Sequence, residues 1–424
     1  MLHISQVKQS TLTEGCILAK TLMIVGAGVE QVPAYEAAKK RGLIIVGTDM
    51  DSYAPGFDLA DYKILVSTRD ADATEKAALK FHQEHPVHGV MTIANDVPFT
   101  VARVAHSLAL PSISLEAATC VTDKLLMKER FVAEGVPCPW FARVDTATQL
   151  RDYINDDCQQ DFVLKPVDGR GARGVLLINS EVDSEWAFGE SKSWGDSGRL
   201  ILEKFIPGMQ LSTESFILDG KCFTPAIAER NYARLEQFRP NIIEDGGTIP
   251  APLDAKTREL IDDVILRGAA AIGITAGIVK GDIVIDHAGQ PLIIELAARL
   301  SGGWFATHQI PSATGVSLVD AVISYSLGET VFSSKLIPQF HRATAIRYWF
   351  PPDGIISSIE GEEKLRQIPS LLSYGFFRKQ GELQPKIRMH SDRFGYVIVS
   401  GDNRDEVLIQ VDQALKCIYV KVEE

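Results

Sequence analysis

Two carboxylates and an arginine lie close together near the three-hundredth residue. "GDIVID" (281–286) and "PLIIEL" (291–296), joined by the turn "HAGQ", read as two antiparallel strands. Asp282 then falls near the start of one strand and Glu295 near the end of its neighbour, where they can face each other. Two carboxylates with room for waters are what Mg²⁺ takes when phosphate oxygens complete its octahedron. Arg299 follows, then Ser301, Gly302 and Gly303. A guanidinium fork can clamp a carboxylate or a forming phosphate, and small neighbours let backbone N–H groups approach closely. Two strand-end carboxylates and one surface arginine would be spelled the same way.

A second stretch is cationic and rich in glycine. In "DFVLKPVDGRGARGVLLI" (161–178) an apolar run ends in Lys165, then Gly169, Arg170, Gly171, Arg173 and Gly174 precede another apolar run. Backbone N–H groups free of side chains can close round an anion. A P-loop is excluded, because no Gly-Lys-Ser or Gly-Lys-Thr occurs in the chain and strand formers follow the glycines. The segment is a hairpin, which on its own could be an ordinary flexible turn. Further on, "AERNYARLEQFRPNIIEDGG" carries Arg230, Arg234 and Arg239, and "SGGWFATHQIPSATG" carries Trp304 and His308. A solvated arginine face, a core tryptophan and a satisfied histidine are the plain alternatives.

The elements that must hold these groups alternate in type. From Thr21 to about Leu115, apolar runs such as "LMIVGAG" and "LIIVGTD" alternate with helical patterns, which predicts a parallel sheet covered on both faces. The turn "GAGVEQ" invites a dinucleotide reading with Asp49 and Asp51 on a ribose. It falls short, because Glu30 stands near the place of the third glycine. In "TDKLLMKERFVAEGVPCP" Thr122 is the expected helix cap and Gly135 the stop. Strands follow over 161–178 and 199–218 with a polar connection "GESKSWGDSG", then an amphipathic helix from about Asp254 to Ile272. The chain ends in a strand and an amphipathic helix.

Length and composition narrow the class. At 424 residues, 46% of them hydrophobic, two or three globular domains are expected. Against 55 acidic residues stand 43 basic ones, and a net charge of −12 argues against nonspecific nucleic-acid binding. Six scattered cysteines (Cys16, Cys120, Cys138, Cys158, Cys222, Cys417) show no zinc spacing and are expected as buried, reduced thiols. No signal peptide or bilayer-spanning run is visible, so the expected location is cytoplasmic.

Taken in order, these motifs resemble the ATP-grasp superfamily, in particular the branch of biotin carboxylase, carbamoyl phosphate synthetase and the L-amino-acid ligases. The resemblance runs from about Thr21 to the C-terminus through "TDKLLMKERF", "VLKP…GRGARGV", "ILEKFIPG", "D…IIELAAR" and "GYVIVSGDNRDEV". It implies an α/β and α+β architecture. A parallel-sheet pre-ATP-grasp domain would cover 1–118 and an ATP-grasp domain of two subdomains 119–332, with a lid at about 140–210. A small α+β domain like the C-terminal one of biotin carboxylase would cover 333–424. It also implies ATP, with Lys124 and Lys165 on the phosphates, Gly169, Arg170, Gly171 and Gly174 as a closing lid, and Glu203, Lys204, Phe205 and Ile206 as the adenine hinge. Gln210 would sit where relatives carry a ribose-binding acid. Asp282 and Glu295 would hold one or two Mg²⁺ ions, Ala297 replacing the usual Asn ligand. Arg299, with Gly302 and Gly303, would stabilise the transferred phosphoryl or acyl phosphate, and Arg230, Arg239, Trp304 and His308 would meet substrate.

The implied reaction is activation of a small-molecule carboxylate as an acyl phosphate and its coupling to an amine, releasing ADP and phosphate. No nucleic acid or membrane is implied as partner, and a homodimer is allowed. "SGG" after Arg299 lacks the Gln-x-Glu-His continuation of biotin carboxylase, which places a bicarbonate-dependent carboxylase second. A non-catalytic ATP-binding protein comes third.

Overall fold

A computed structural model describes residues 4–6 and 19–423; the expectation for Cys16 lies outside them. The first region is a five-stranded sheet. Strands Thr21–Val25, Ile44–Asp49, Tyr62–Leu65 and Gly89–Met91 run parallel, and Ile4–Gln6 adds an antiparallel edge. The apolar runs of Thr21–Val25, Ile44–Asp49 and Gly89–Met91 are buried on both faces, as central parallel strands require.

The helix Lys124–Ala133 follows. Its cap is Asp123, whose carboxylate accepts the Leu126 N–H, and not Thr122, which ends the preceding helix Leu115–Thr122. Asp123 is the better cap because Thr122 turns its hydroxyl back onto the Ala118 and Thr119 carbonyls. Gly135 stops the helix at φ +64°.

A four-stranded antiparallel sheet comes next, built from Phe141–Val144, Phe162–Pro166, Leu176–Ile178 and Leu200–Lys204. The Gly-rich stretch is the hairpin loop of this sheet, with Phe162 opposite Ile178. The connection expected to be loop contains a helix, Ser184–Lys192, capped by Asp183.

The third unit is built on an antiparallel sheet. Strands Met209–Leu218, Lys221–Asn231, Gly246–Ile249, Gly277–Ile285 and Pro291–Ala297 form a sheet backed by the helix Ala255–Ala271. That sheet does not end there. Gly246–Ile249 pairs with Ala343–Trp349, which pairs with Gly395–Gly401 and so continues to Leu371–Phe376, giving eight strands in one sheet. Only a three-stranded sheet, completed by an unanticipated last strand Tyr419–Glu423, belongs to the C-terminal region alone.

Candidate active site

A cavity of about 1040 Å³ lies where the N-terminal sheet, the hairpin sheet and the eight-stranded sheet meet. The hairpin loop lines it through Gly169, Arg170 and Gly171. Gly174 does not line it: its carbonyl is held by Ser191 Oγ at 2.8 Å, and at φ +65° an added Cβ would lie 3.0 Å from the Ser191 carbonyl oxygen and from Trp194. Its place is to tie the loop to the helix behind.

Beside the hairpin stands a buried cluster of charge. Lys165 Nζ is 2.9 Å, and Lys128 Nζ 3.6 Å, from the Glu203 carboxylate, which is 2% exposed. Burial alone would raise the Glu203 carboxyl, but the two ammonium groups outweigh it and hold it ionised. Glu203 is therefore engaged by lysines. Lys204 turns its ammonium outward to Asp157 at 2.8 Å. The Phe205 carbonyl accepts from Gln160, and the Phe205 N–H donates to Asp161. Gln210 Nε2 donates to the Ile206 carbonyl at 3.3 Å, and the Ile206 N–H has no partner among the described residues.

Lys124 joins this cluster to the carboxylate pair, since its ammonium is 2.8 Å from the Gly169 carbonyl and 3.4 Å from Glu295. Asp282 and Glu295 are cross-strand neighbours at a bulge, as the hairpin pattern required, although Asp282 lies towards the middle of its strand. Asp282 is bound by Arg230 at 2.8 Å and by Lys280. Burial would raise its pKa, but those two cations outweigh burial and bring it down to about 2. Among the described residues no group of three or more His, Cys, Asp or Glu side chains could hold a metal unaided. Two carboxylates in register suit Mg²⁺ only when phosphate oxygens share the shell, and Ala297 adds no ligand.

Arg299 does not reach freely towards this pair. Its Nε lies 2.6 Å from Asp96 of the N-terminal region, and its fork is closed by the same carboxylate. The following loop is docked on that region as well: the Ala94 N–H meets the Leu300 carbonyl at 2.9 Å, and the Gly303 N–H meets Glu30 at 2.8 Å. A Cβ on Gly302 would press into the Glu30 carboxylate, so a larger residue there would have to displace Glu30 from the loop. From inside, Glu214 holds Ser301 through its N–H at 2.7 Å and its hydroxyl. Glu214 is fully buried, and burial pushes its carboxyl up to about 7.

Of the four residues expected at substrate, two line the cavity. Arg230 does so while saturated by Glu244 and Asp282, and Trp304 does so while stacked on Tyr396 with ring centroids 3.6 Å apart. Arg239 does not, because its guanidinium forms a surface bridge to Asp161 and Glu236. His308 does not either. It bonds to Thr307 at 2.9 Å on a π-helical turn, away from the cavity. Asp49 is no ribose ligand, since its carboxylate accepts from the Ala27 and Asp51 N–H groups. Among the described cysteines, which are free thiols, Cys120 is buried but Cys158 is exposed, so burial does not hold for all. Glu30, Asp96, Lys128, Glu214, Lys280, His390 and Arg393 were not anticipated. Only Lys128, one helical turn after Lys124, carried a signal that spacing could have found.

This combination of a Gly-rich hairpin, a lysine–carboxylate cluster and a facing carboxylate pair over one cavity is the arrangement of a nucleotide-dependent ligase class. Residues 121–303 match the family described as ATP-grasp domain, and 347–423 match L-amino acid ligase C-terminal domain 2. The segment 121–303, which carries the lysine–carboxylate cluster and the carboxylate pair, is thus an ATP-grasp domain. It is 20% identical over 390 residues to dapdiamide A synthase of Enterobacter agglomerans, covering 89% of this chain and 90% of that protein. To D-alanine–D-alanine ligase of Magnetococcus marinus it is 26% identical over 301 residues, covering 67% and 82%. The crystal structure of an L-amino acid ligase from Bacillus licheniformis superposes with a TM-score of 0.82 at 20% identity, covering 96% of this chain and 99% of that one, which establishes the shared fold. Among the described residues no helix is long and apolar enough to cross a membrane.

Proposed function

We propose that the chain activates a small-molecule carboxylate with ATP and couples the acyl phosphate to an amine, releasing ADP and phosphate. One observation carries this reading: a single cavity is lined at once by the Gly-rich hairpin, Lys124 and Lys165, the Asp282–Glu295 pair and the Arg299–Gly303 loop. Lys124 and Lys165 bind the phosphates, exchanging part of their carboxylate contacts for phosphate oxygens, while the hinge reads adenine through backbone groups such as the Ile206 N–H. The hairpin folds over the phosphates and keeps water from the acyl phosphate. Asp282 and Glu295 would hold Mg²⁺, which supplies charge neutralisation on the phosphate oxygens. Arg299 steadies the carboxylate being phosphorylated, and Asp96 sets its direction. Gly302 and Gly303 let their N–H groups approach the developing negative charge.

No protein nucleophile is needed, because ATP provides the leaving group and the protein provides orientation and dryness. The test is a screen of carboxylic acids with ATP, Mg²⁺ and hydroxylamine, scored for ADP release and hydroxamate. A hydroxamate shows the activated acyl group. ADP release driven by bicarbonate instead, with no hydroxamate from any acid, would replace this reading with a carboxylase.

A further inference from the structure

We propose that Lys128 is a positioning residue for ATP: it neutralises Glu203 from within the core, so that Lys165 is free to leave that carboxylate for the phosphates. This deepens the ligase reading and rests on it. Lys128 lies on the helix Lys124–Ala133, one turn after Lys124, and is wholly buried. Its ammonium faces the same Glu203 oxygen, Oε1, as that of Lys165, at 3.6 Å against 2.9 Å. Among the described residues nothing else satisfies that oxygen.

The two lysines differ in what else holds them. The Lys128 ammonium donates to the Ile293 carbonyl at 2.9 Å, whereas that of Lys165 has only Glu203 among the described residues and lines the cavity. Ile293 belongs to Pro291–Ala297, the edge strand of the eight-stranded sheet, and precedes Glu295 by two positions. In place of a further strand, the outer edge there meets single groups. Lys128 takes the Ile293 carbonyl, the Pro137 carbonyl accepts the Ile293 N–H at 2.9 Å, and the Met127 sulfur accepts the Leu296 N–H at 3.4 Å. Lys128 is thus fixed between the strand of Glu295 and that of Glu203. It cannot follow a ligand into the cavity, and Lys165 can.

Phosphates draw Lys165 from Glu203 only if the carboxylate left behind keeps a counter-charge. An ionised carboxylate buried alone is costly, and removing one partner of a buried pair leaves that cost uncompensated. Glu203 is too deeply buried for water to take the place of Lys165. Lys128, the looser of its two partners, can close on it. Burial draws the Lys128 ammonium down from its ordinary value, Glu203 pushes it up and Lys165 opposes it, so the departure of Lys165 removes a repulsion from the pair that remains. A lysine that merely served the Ile293 carbonyl would act through stability alone, and its loss would not single out ATP.

The experiment measures equilibrium ATP binding with Mg²⁺, and hydroxamate formation from an acid that wild type activates, for wild type, Lys128→Met, Glu203→Gln and the double variant. In Lys128→Met, Glu203 retains Lys165, and ATP affinity and the KM for ATP are expected to worsen by about tenfold or more. The KM for the acid, and kcat at saturating ATP, should stay within about threefold. In the Glu203→Gln background the same Lys128→Met change should cost less than about twofold, because no carboxylate remains to retain Lys165. If Lys128→Met does not fold, the double variant, which leaves no carboxylate unpaired, is compared with Glu203→Gln alone, and equal ATP affinity is expected. An equal loss in both backgrounds, an unchanged ATP affinity in Lys128→Met, a loss shared evenly by ATP and acid, or a double variant weaker than Glu203→Gln overturns the positioning role, while hydroxamate formation by wild type leaves the ligase reading intact. No ATP binding and no hydroxamate with wild type overturns the ligase reading and this inference with it.

Discussion

The two ends of the cavity are built differently. At the hairpin end, Lys124, Lys165 and Glu203 come from neighbouring elements of one segment and are almost closed to water, Lys165 pairing with Glu203 and Lys124 with Glu295. At the other end, Arg299 is held by Asp96, Gly303 by Glu30 and Ser301 by Glu214, so one five-residue loop is clasped from two separate regions, with Arg393 arriving from a third. On the proposed function, the first end is the cradle for ATP and is assembled within one segment. The second is a composite whose geometry depends on how distant regions dock, which suits a site that varies with substrate.

If this contrast is right, Glu295→Gln strikes the joint between the ends and has the largest effect. Turnover should fall by about a hundredfold or more, roughly 3 kcal/mol of transition-state stabilisation, while equilibrium ATP binding persists through Lys124 and Lys165. Near-normal turnover would remove the carboxylate pair from the chemistry. Arg299→Lys tests the composite end alone. A lysine cannot reproduce the paired bonds of the fork, so amide formation should drop about thirtyfold, near 2 kcal/mol. ATP affinity measured on the same preparation should stay within about twofold; a parallel loss would show that the ends are not separable.

A stability measurement sharpens the contrast further. Glu214 has its carboxyl raised from an ordinary 4.5 to about 7. Below pH 4.5 folded and unfolded chains both carry the proton. Between there and pH 7 the folded chain holds more, so stability falls as pH rises and levels off above 7. Thermal melts from pH 5 to 8 should lose up to about 2 kcal/mol of stability to this group, and Glu214→Gln should flatten that decline. An identical slope in the variant would show that Glu214 does not carry it. The smallest effect belongs to Arg239→Ala. Its surface bridge to Asp161 is worth at most about 1 kcal/mol, and turnover should remain within about twofold, whereas a large loss would return Arg239 to the substrate side.

Legibility followed the same division. The Asp282–Glu295 pairing was readable because a four-residue turn between alternating strands leaves little choice of register. The hairpin was readable because three glycines between 169 and 174 interrupt a strand pattern that resumes at Val175. Glu30 was seen only as a glycine that was missing, yet it serves the Gly303 N–H across 273 positions of chain. Asp96 and Arg393 had no local signature at all, since their meaning arises only when the N-terminal and C-terminal regions close on the same loop. His308 and Arg239 misled for the opposite reason: nearness in sequence to Trp304 and Arg230 did not carry through a π-helical turn and a short helix that turned them away.

The eight-stranded sheet also bears on how the chain is made. Gly246–Ile249 pairs on one side with Lys221–Asn231, but its other edge is completed only by Ala343–Trp349, which in turn is completed by Gly395–Gly401. During synthesis the ATP-grasp strands therefore emerge with a raw edge and wait for residues 343–349 to leave the ribosome. A chain stopped at residue 340 should scatter light and pellet, and supplying 341–424 as a separate polypeptide should restore part of the soluble fraction. The C-terminal region is thus less an appended module than the finishing strip of the sheet on which the carboxylate pair stands.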